Sequence, residues 1–181
     1  ELVSETRSAL DVLSAYFARL RDITFNNSTQ IPLSTSNFCL SRLIEDAERK
    51  AASQTRKKVT FRNRLAPELS VCADRIHLGN ILDNLIENAL KYSGDSVEIT
   101  ISASDSGGAI VITVEDNGIG MSASDCRKAF DRFYRSEAAS GLPGMGLGLA
   151  YVRLLAEAHG GSASVESREG KGSCFTITIP Q

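Results

Sequence analysis

Two predicted β-hairpins constrain the fold of this chain more than any other feature of its sequence. Apolar and polar residues alternate over residues 97–103 and 110–115, and they alternate again over residues 163–167 and 173–179. Short glycine-containing turns separate the two segments of each pair, and alternation with period two is typical of half-buried strands. The two hairpins therefore predict an antiparallel or mixed sheet.

Segments with helical periodicity alternate with the predicted strands. Helices are predicted over residues 38–51, 74–92, 124–130 and 145–159, and further strands over residues 58–64 and 69–72. We expect Ser36 or Asn37 to cap the first of these helices and Asp74 to cap the second. Helices that cover one face of such a sheet predict an α+β fold, a two-layer α/β sandwich with a mixed sheet.

The first 25 residues are predicted to form a separate helix. Their apolar side chains recur with a three-four rhythm along one narrow seam, which is typical of a bundle helix that packs against a partner. A polar stretch over residues 26–30 and Pro32 then predict a linker.

Composition excludes several classes of function. The 181 residues carry 20 basic and 22 acidic side chains, so the net charge of −2 provides no basic field for nucleic acid. No apolar run approaches the ~20 residues of a membrane span, so we expect no direct membrane contact from this chain. The four cysteines are scattered, which predicts reduced thiols rather than disulfides or a zinc site. Because the chain begins at Glu1 rather than Met, we expect it to be a fragment.

Three asparagines and a lysine lie along one face of the predicted helix over 74–92. Asn80, Asn84, Asn88 and Lys91 follow the spacing i, i+4, i+8 and i+11, although asparagine is a mediocre helix former. Carboxamide oxygens suit Mg²⁺ bound to phosphate, and a lysine supplies a point charge for the same phosphates. A solvated polar face explains the pattern equally well, and the helix alone leaves both interpretations open.

A second candidate site follows the strand over 110–115. Asp116 ends that strand, and Gly118 and Gly120 in the next turn allow a close approach of the backbone. A buried carboxylate needs a hydrogen-bond donor, and the exocyclic amine of a purine would provide one. An aspartate that merely caps a turn is the alternative.

A glycine-rich run over 141–149 leads directly into the last predicted helix. Exposed N–H groups and the helix dipole favour phosphate at such a junction, although the spacing matches neither a Rossmann fingerprint nor a P-loop. The preceding irregular segment is long enough to predict a functional loop. Its basic residues fit either the charge of a nucleotide or a solvated surface, and they are Arg127, Lys128, Arg132 and Arg135.

These segments together resemble the catalytic ATP-binding domain of sensor histidine kinases, in the superfamily that includes gyrase, Hsp90-type chaperones and MutL. Residues 84–92 resemble the N box, 116–120 the G1 box, 130–135 the F box and 144–149 the G2 box, and 170–175 resemble the last glycine motif. Five motifs in family order make the resemblance specific, and it covers residues 35–181. It implies a Bergerat-type ATP-binding fold.

The resemblance implies a role for each matching residue. Asn88 would bind Mg²⁺ with support from Asn84, and Lys91 would contact phosphate. Asp116 would accept a hydrogen bond from N6 of adenine, and Tyr92 would pack near the adenine ring. Residues 136–144 would form a mobile lid whose leading edge is anchored by the aromatic side chains Phe130 and Phe133. The other implied nucleotide-binding residues are Gly118, Gly120, Arg135, Gly144, Gly146, Leu147 and Gly148.

The resemblance also indicates the type of reaction. Members that hydrolyse ATP carry a glutamate four residues before the metal-binding asparagine, where this chain has Asn84, which cannot accept a proton. We therefore expect phosphoryl transfer to a histidine, with no acid or base catalyst in this chain. His77 and His159 are predicted to be structural, so the acceptor is expected upstream of Glu1.

The domain boundaries and partners follow from the same resemblance. Residues 1–28 would be the second helix of the dimerisation and phosphoacceptor hairpin with the start of a linker, and residues 29–181 the catalytic domain. The parent protein would be a homodimer that phosphorylates a response regulator, and this chain the cytoplasmic part of a membrane-anchored bacterial sensor. The alternatives are a serine kinase of the anti-sigma-factor type and a nucleotide-sensing module without turnover.

Overall fold

The computed structural model describes residues 31–66, 68–139, 141–142 and 144–181. The helix predicted over residues 1–25 and the boundary at residue 28 lie outside the described residues. The strands are β1 (Thr35–Cys39), β2 (Lys58–Leu65), β3 (Ser70–Asp74), β4 (Ser96–Asp105), β5 (Ala109–Asp116), β6 (Ser162–Arg168) and β7 (Gly172–Pro180). The helices are α1 (Leu40–Gln54), α2 (Arg75–Lys91), α3 (Ala123–Lys128) and α4 (Gly148–Ala158), with a 3₁₀ turn at Glu137–Ala139.

The main sheet is mixed, as predicted. Its five strands follow the order β2-β4-β5-β7-β6, in which β2 and β4 are parallel and all other neighbours are antiparallel. Both predicted hairpins are present, as β4 with β5 and as β6 with β7. A separate two-stranded antiparallel sheet pairs β1 with β3.

One face of the main sheet and the apolar faces of the helices form the core. Alternate residues of β4, β5 and β7 are buried, and α2 packs between α1 and α4 over this face. Each fully buried aliphatic side chain contributes about 1.5–3 kcal/mol. The buried residues of α2 include the predicted apolar stripe, which is Leu78, Ile81, Leu82, Leu85, Ile86 and Ala89. The two-layer α/β prediction is therefore confirmed.

The start of α1 differs from the prediction. Residues 35–39 form β1, and Cys39 precedes the helix without a side-chain cap, so neither Ser36 nor Asn37 caps it. Thr35 pairs with Asp74 and Cys39 with Ser70. This pairing with β3 holds the segment in an extended conformation, which local periodicity does not reveal.

Asp74 caps α2 as predicted and also brings the two histidines together. Its side chain accepts hydrogen bonds from the backbone N–H groups of Ile76 and His77. Its own N–H donates to Nε2 of His159 at 3.0 Å, while Nδ1 of His159 lies 2.8 Å from the carbonyl oxygen of Leu155. The rings of His77 and His159 meet edge to face with centroids 6.4 Å apart. The two histidines therefore pack against each other at the start of α2 and the end of α4.

Within the described ranges, no helix combines the length and the apolar character that crossing a membrane requires.

Candidate functional site

Two adjoining pockets lie at the carboxyl end of α2. The inner pocket is lined by residues that include Asp116, Ile119, Gly120, Met121 and Ser173. The outer pocket is lined by residues that include Asn84, Lys91, Gly144, Gly146 and Gly148. Asn88 and Tyr92 line both pockets, so one turn of α2 forms the boundary between them.

Three of the four residues on the polar face of α2 line these pockets, and they are Asn84, Asn88 and Lys91. Asn84 is buried, with 3% of its surface exposed, and its Nδ2 donates to the carbonyl oxygen of Asn80 at 2.6 Å. The side chain of Asn88 makes no hydrogen bond to any described residue, so its carboxamide oxygen remains available where the pockets meet. The interpretation of this face as a solvated surface is therefore wrong for Asn84.

The inner pocket has a buried carboxylate in its wall. Asp116 is 9% exposed, and its Oδ1 accepts a hydrogen bond from the N–H of Gly118 at 2.8 Å. Burial raises the pKa of Asp116 and outweighs the N–H groups of Gly118 and Ser173, which act in the opposite direction. The loop that follows is tied to α2, because the N–H of Ile119 donates to the carbonyl oxygen of Tyr92 at 2.9 Å.

Gly120 is required by a close approach of two backbones. Its φ is +67°, and a Cβ at this position would lie 2.0 Å from the carbonyl oxygen of Arg168. No side chain fits there without displacing the turn between β6 and β7. The loop of the inner pocket is thus packed directly against the last hairpin.

The glycine-rich loop and the start of α4 form the far wall of the outer pocket. Gly144 and Gly146 have φ values of +135° and +71°, so α4 begins at Gly148 rather than at Met145, where the helix was predicted to start. No side chain caps the N–H groups of its first turn. A Cβ on Gly144 would lie 2.7 Å from Nζ of Lys91, so an ammonium group faces the same loop. Uncapped N–H groups beside a lysine are suited to bind phosphate.

Leu147 and Gly118 occupy positions that limit their predicted roles. The side chain of Leu147 is 3% exposed and belongs to the core, so only its backbone can contact a ligand. Gly118 does not line either pocket, but its N–H holds Asp116 in place. The other predicted nucleotide-binding residues all line one or both pockets.

Arg135 holds the segment that precedes the glycine-rich loop. Its guanidinium group donates to the carbonyl oxygens of Ala139 and Leu142, and Arg135 also lines the inner pocket. Of the two aromatics predicted to anchor this segment, Phe130 is buried whereas Phe133 is 61% exposed. Phe133 is held by its backbone instead, because its N–H donates to the carbonyl oxygen of Gly146 at 3.0 Å.

Sequence reasoning missed several residues at the site. Nζ of Lys57 donates to the carbonyl oxygens of Leu90 and Ser93 at 2.6 and 2.8 Å and so holds the end of α2. The hydroxyl of Tyr134, which lines both pockets, donates to Asp125 at 2.6 Å. No local pattern in the sequence indicates these contacts, because the bonds of Lys57 join segments that are distant in sequence and the bond of Tyr134 lies in an irregular segment.

The part of the chain that forms both pockets matches a known protein family. The family described as "Histidine kinase-, DNA gyrase B-, and HSP90-like ATPase" matches residues 73–181. Sensor histidine kinase WalK of Bacillus subtilis is 42% identical over 124 residues, which are 66% of this chain and 20% of WalK. The chain therefore spans about a fifth of the length of this relative.

Solved structures of histidine kinases share the fold. The Acinetobacter baumannii histidine kinase AdeS is 25% identical with a TM-score of 0.78, over 99% of this chain and 83% of AdeS. Full-length ShkA, solved in complex with AMPPNP, is 25% identical with a TM-score of 0.81, over 99% of this chain and 38% of ShkA.

Proposed function

Because the chain belongs to the histidine kinase-, DNA gyrase B- and HSP90-like ATPase family, we propose that it binds Mg-ATP as the catalytic domain of a sensor histidine kinase. Its relatives include sensor histidine kinase WalK. The observation that carries the proposal is the junction of the two pockets at Asn88 and Tyr92, with an acceptor on one side and cationic and N–H groups on the other.

The inner pocket suits adenine. The carboxylate of Asp116 can only accept hydrogen bonds at neutral pH, and the exocyclic amine of adenine can only donate. Ile119, Met121 and Phe175 give the pocket apolar surface against which a planar base can pack. The ring of Tyr92 lies beside this space, with Nζ of Lys91 4.7 Å from its centroid.

The outer pocket suits a triphosphate with Mg²⁺. Lys91 and the uncapped N–H groups of α4 supply positive charge. Asn88 offers a neutral oxygen of the kind that Mg²⁺ accepts while it keeps most of its waters. Bound there, Mg²⁺ would neutralise phosphate charge during transfer.

The chain is better suited to phosphoryl transfer than to hydrolysis. Asn84 cannot act as a general base, because an amide does not accept a proton at neutral pH. Among the described residues that line the outer pocket, Glu87 is the one carboxylate, and it points about 100° away from Asn88 on the helix. We therefore infer that ATP is held for attack by a group on another segment.

That group is not one of the two histidines of this chain. His77 lies 11 residues before Asn88 on α2, which is about 16 Å along the axis, and both ring nitrogens of His159 have backbone partners. We propose that the acceptor is a histidine on a helical hairpin outside the described residues, that the parent is a dimeric, membrane-anchored sensor with this domain in the cytoplasm, and that a response regulator receives the phosphoryl group.

Labelled ATP tests this proposal directly. We expect no label on the chain alone, and acid-labile label on histidine once the preceding segment of the full-length protein is added. The replacements N88D and D116N should abolish the label, whereas D105N, at an exposed strand end, should not. Acid-stable phosphoserine on a partner would instead identify a serine kinase. ATP binding without transfer in the full-length dimer would identify a nucleotide sensor.

A further inference from the structure

Ser167 on β6 connects three parts of the inner pocket through one hydroxyl group. Its Oγ accepts a hydrogen bond from the N–H of Met121 at 2.8 Å and donates to the carbonyl oxygen of Gly172 at 2.7 Å. The same Oγ lies 3.0 Å from Oγ of Ser173. The loop after Asp116, strand β6 and strand β7 therefore meet at this side chain.

The direction of the bond between the two serines follows from the number of hydrogens available. A serine hydroxyl has one hydrogen to donate, and that of Ser167 is directed to Gly172. The hydrogen in the bond between the serines must therefore come from Ser173. Because the one hydrogen of the Ser173 hydroxyl is donated to Ser167, the oxygen of Ser173 can only accept further hydrogen bonds.

Ser173 lines the inner pocket together with Asp116 and is 9% exposed. The two residues lie directly opposite each other across β5 and β7. A carboxylate and an acceptor-only hydroxyl therefore stand side by side in the pocket wall. Such a wall favours a base that presents donors and disfavours one that presents a carbonyl oxygen.

We propose that Ser167 is a positioning residue that fixes the wall of the inner pocket and sets the polarity of Ser173, so that the pocket selects a purine with an amino group at position 6. This inference rests on the proposed binding of a nucleotide in the inner pocket. Ser167 itself does not line that pocket, so it acts through Met121 and Ser173.

The replacement S167A tests the inference when ATP and ITP are compared as ligands. ITP differs from ATP in carrying a carbonyl oxygen in place of the amino group. Without its partner, the Ser173 hydroxyl can rotate and donate to that oxygen. We expect the dissociation constant for ATP to rise about tenfold and that for ITP to change less than about threefold, from the loss of one or two hydrogen bonds. The preference for ATP over ITP should fall severalfold.

Two control variants separate this role from general destabilisation. S167T keeps the hydroxyl group and should keep the preference for ATP, and S164A removes an exposed serine of the same strand and should change neither constant. The exchange rate of the Met121 amide hydrogen, measured without nucleotide, should rise in S167A alone.

The outcomes are distinct. An S167A protein that folds and keeps the wild-type ratio of ATP to ITP affinity overturns the inference, whatever its absolute affinity. A wild-type protein that binds neither nucleotide refutes the proposed function, and the positioning role of Ser167 is then decided by the exchange of the Met121 amide.

Discussion

Replacing Asp116 with asparagine tests the inner pocket most sharply, because the shape of the side chain is kept while its charge is removed. The amide oxygen of asparagine can keep the hydrogen bond from Gly118, which is 2.8 Å long in the native protein. The NH₂ group then occupies the position of the second carboxylate oxygen. The amine of adenine would meet a donor where it now meets an acceptor.

The expected loss of affinity follows from these contacts. A hydrogen bond to a charged acceptor contributes about 1.5–3 kcal/mol, and a buried donor left without an acceptor costs about 1–3 kcal/mol more. Since about 1.4 kcal/mol corresponds to a factor of ten, the lower ends of these two ranges together raise the dissociation constant for ATP about 60-fold in D116N, and larger values raise it further.

The same replacement should not destabilise the protein without nucleotide. Burial raises the pKa of Asp116, so the folded state disfavours the charged form, and at neutral pH that charge costs stability. D116N removes the charge, and its melting temperature should equal or exceed that of the wild type.

Asp74 serves as a comparison because its pKa is shifted in the opposite direction to that of Asp116. Burial is the largest single influence on its pKa and raises it, but the N–H groups of His77, Ser34 and Ile76, with the nearby His77 ring, together lower it. The charged form is therefore favoured in the folded state. D74N loses the acceptor for the N–H of Ser34, now at 2.8 Å, and should be less stable by about 1–2 kcal/mol.

Calorimetric titration with a non-hydrolysable ATP analogue and thermal unfolding measure both quantities on the same samples. The expected pattern is a large loss of affinity with no loss of stability in D116N, and the reverse in D74N. An affinity of D116N within threefold of the wild type would refute the assignment of Asp116 to adenine. A melting temperature that falls in D116N as it does in D74N would refute the reasoning about its charge.

Three further predictions concern pH, close packing and the end of α2. On acidification, ATP affinity should begin to fall at a higher pH than an ordinary aspartate would cause, because the pKa of Asp116 is raised. The stability due to Asp74 should persist to lower pH and be lost only as the pH falls through its lowered pKa. Binding and unfolding measured from pH 7 downward distinguish the two effects, and the effect on binding should vanish in D116N. G120A should lower the free energy of unfolding far more than G170A. Both glycines have a left-handed φ, but of the two only Gly120 would place a Cβ against backbone, 2.0 Å from the carbonyl oxygen of Arg168. Equal losses of unfolding free energy in urea would contradict this packing. K57M should lower stability by about 1 kcal/mol and weaken ATP binding, because it removes the ammonium group from the carbonyl oxygens of Leu90, in the last turn of α2, and of Ser93, just after it. K58M, at an exposed position of β2, serves as the control in both assays.

The parts of the fold that could be predicted are those whose signal is local. The apolar stripe of α2 and the alternation in both hairpins appear within windows of about ten to eighteen residues, and the cap at Asp74 is adjacent to the helix it begins. β1 was missed because nothing within its five residues specifies a strand, and only its pairing with β3 does.

The residues of the candidate site likewise divide into those that a local motif predicts and those that it does not. Asn88, Lys91 and Asp116 belong to recognisable local motifs, and all three line the pockets. Ser167 and Lys57 act on Met121 and Ser93, residues far from them in sequence. Their contacts exist only once the sheet and helices have assembled, so no local pattern indicates them.

The position of β7 has a consequence for the order in which the protein is made. It follows all the other described strands in the chain, yet it lies between β5 and β6 in the sheet, and it brings Ser173 opposite Asp116. During synthesis from the amino end, the aspartate leaves the ribosome well before the strand that completes its pocket. Under the proposed function, a nascent chain therefore cannot hold the base until β7 has emerged and completed the inner pocket.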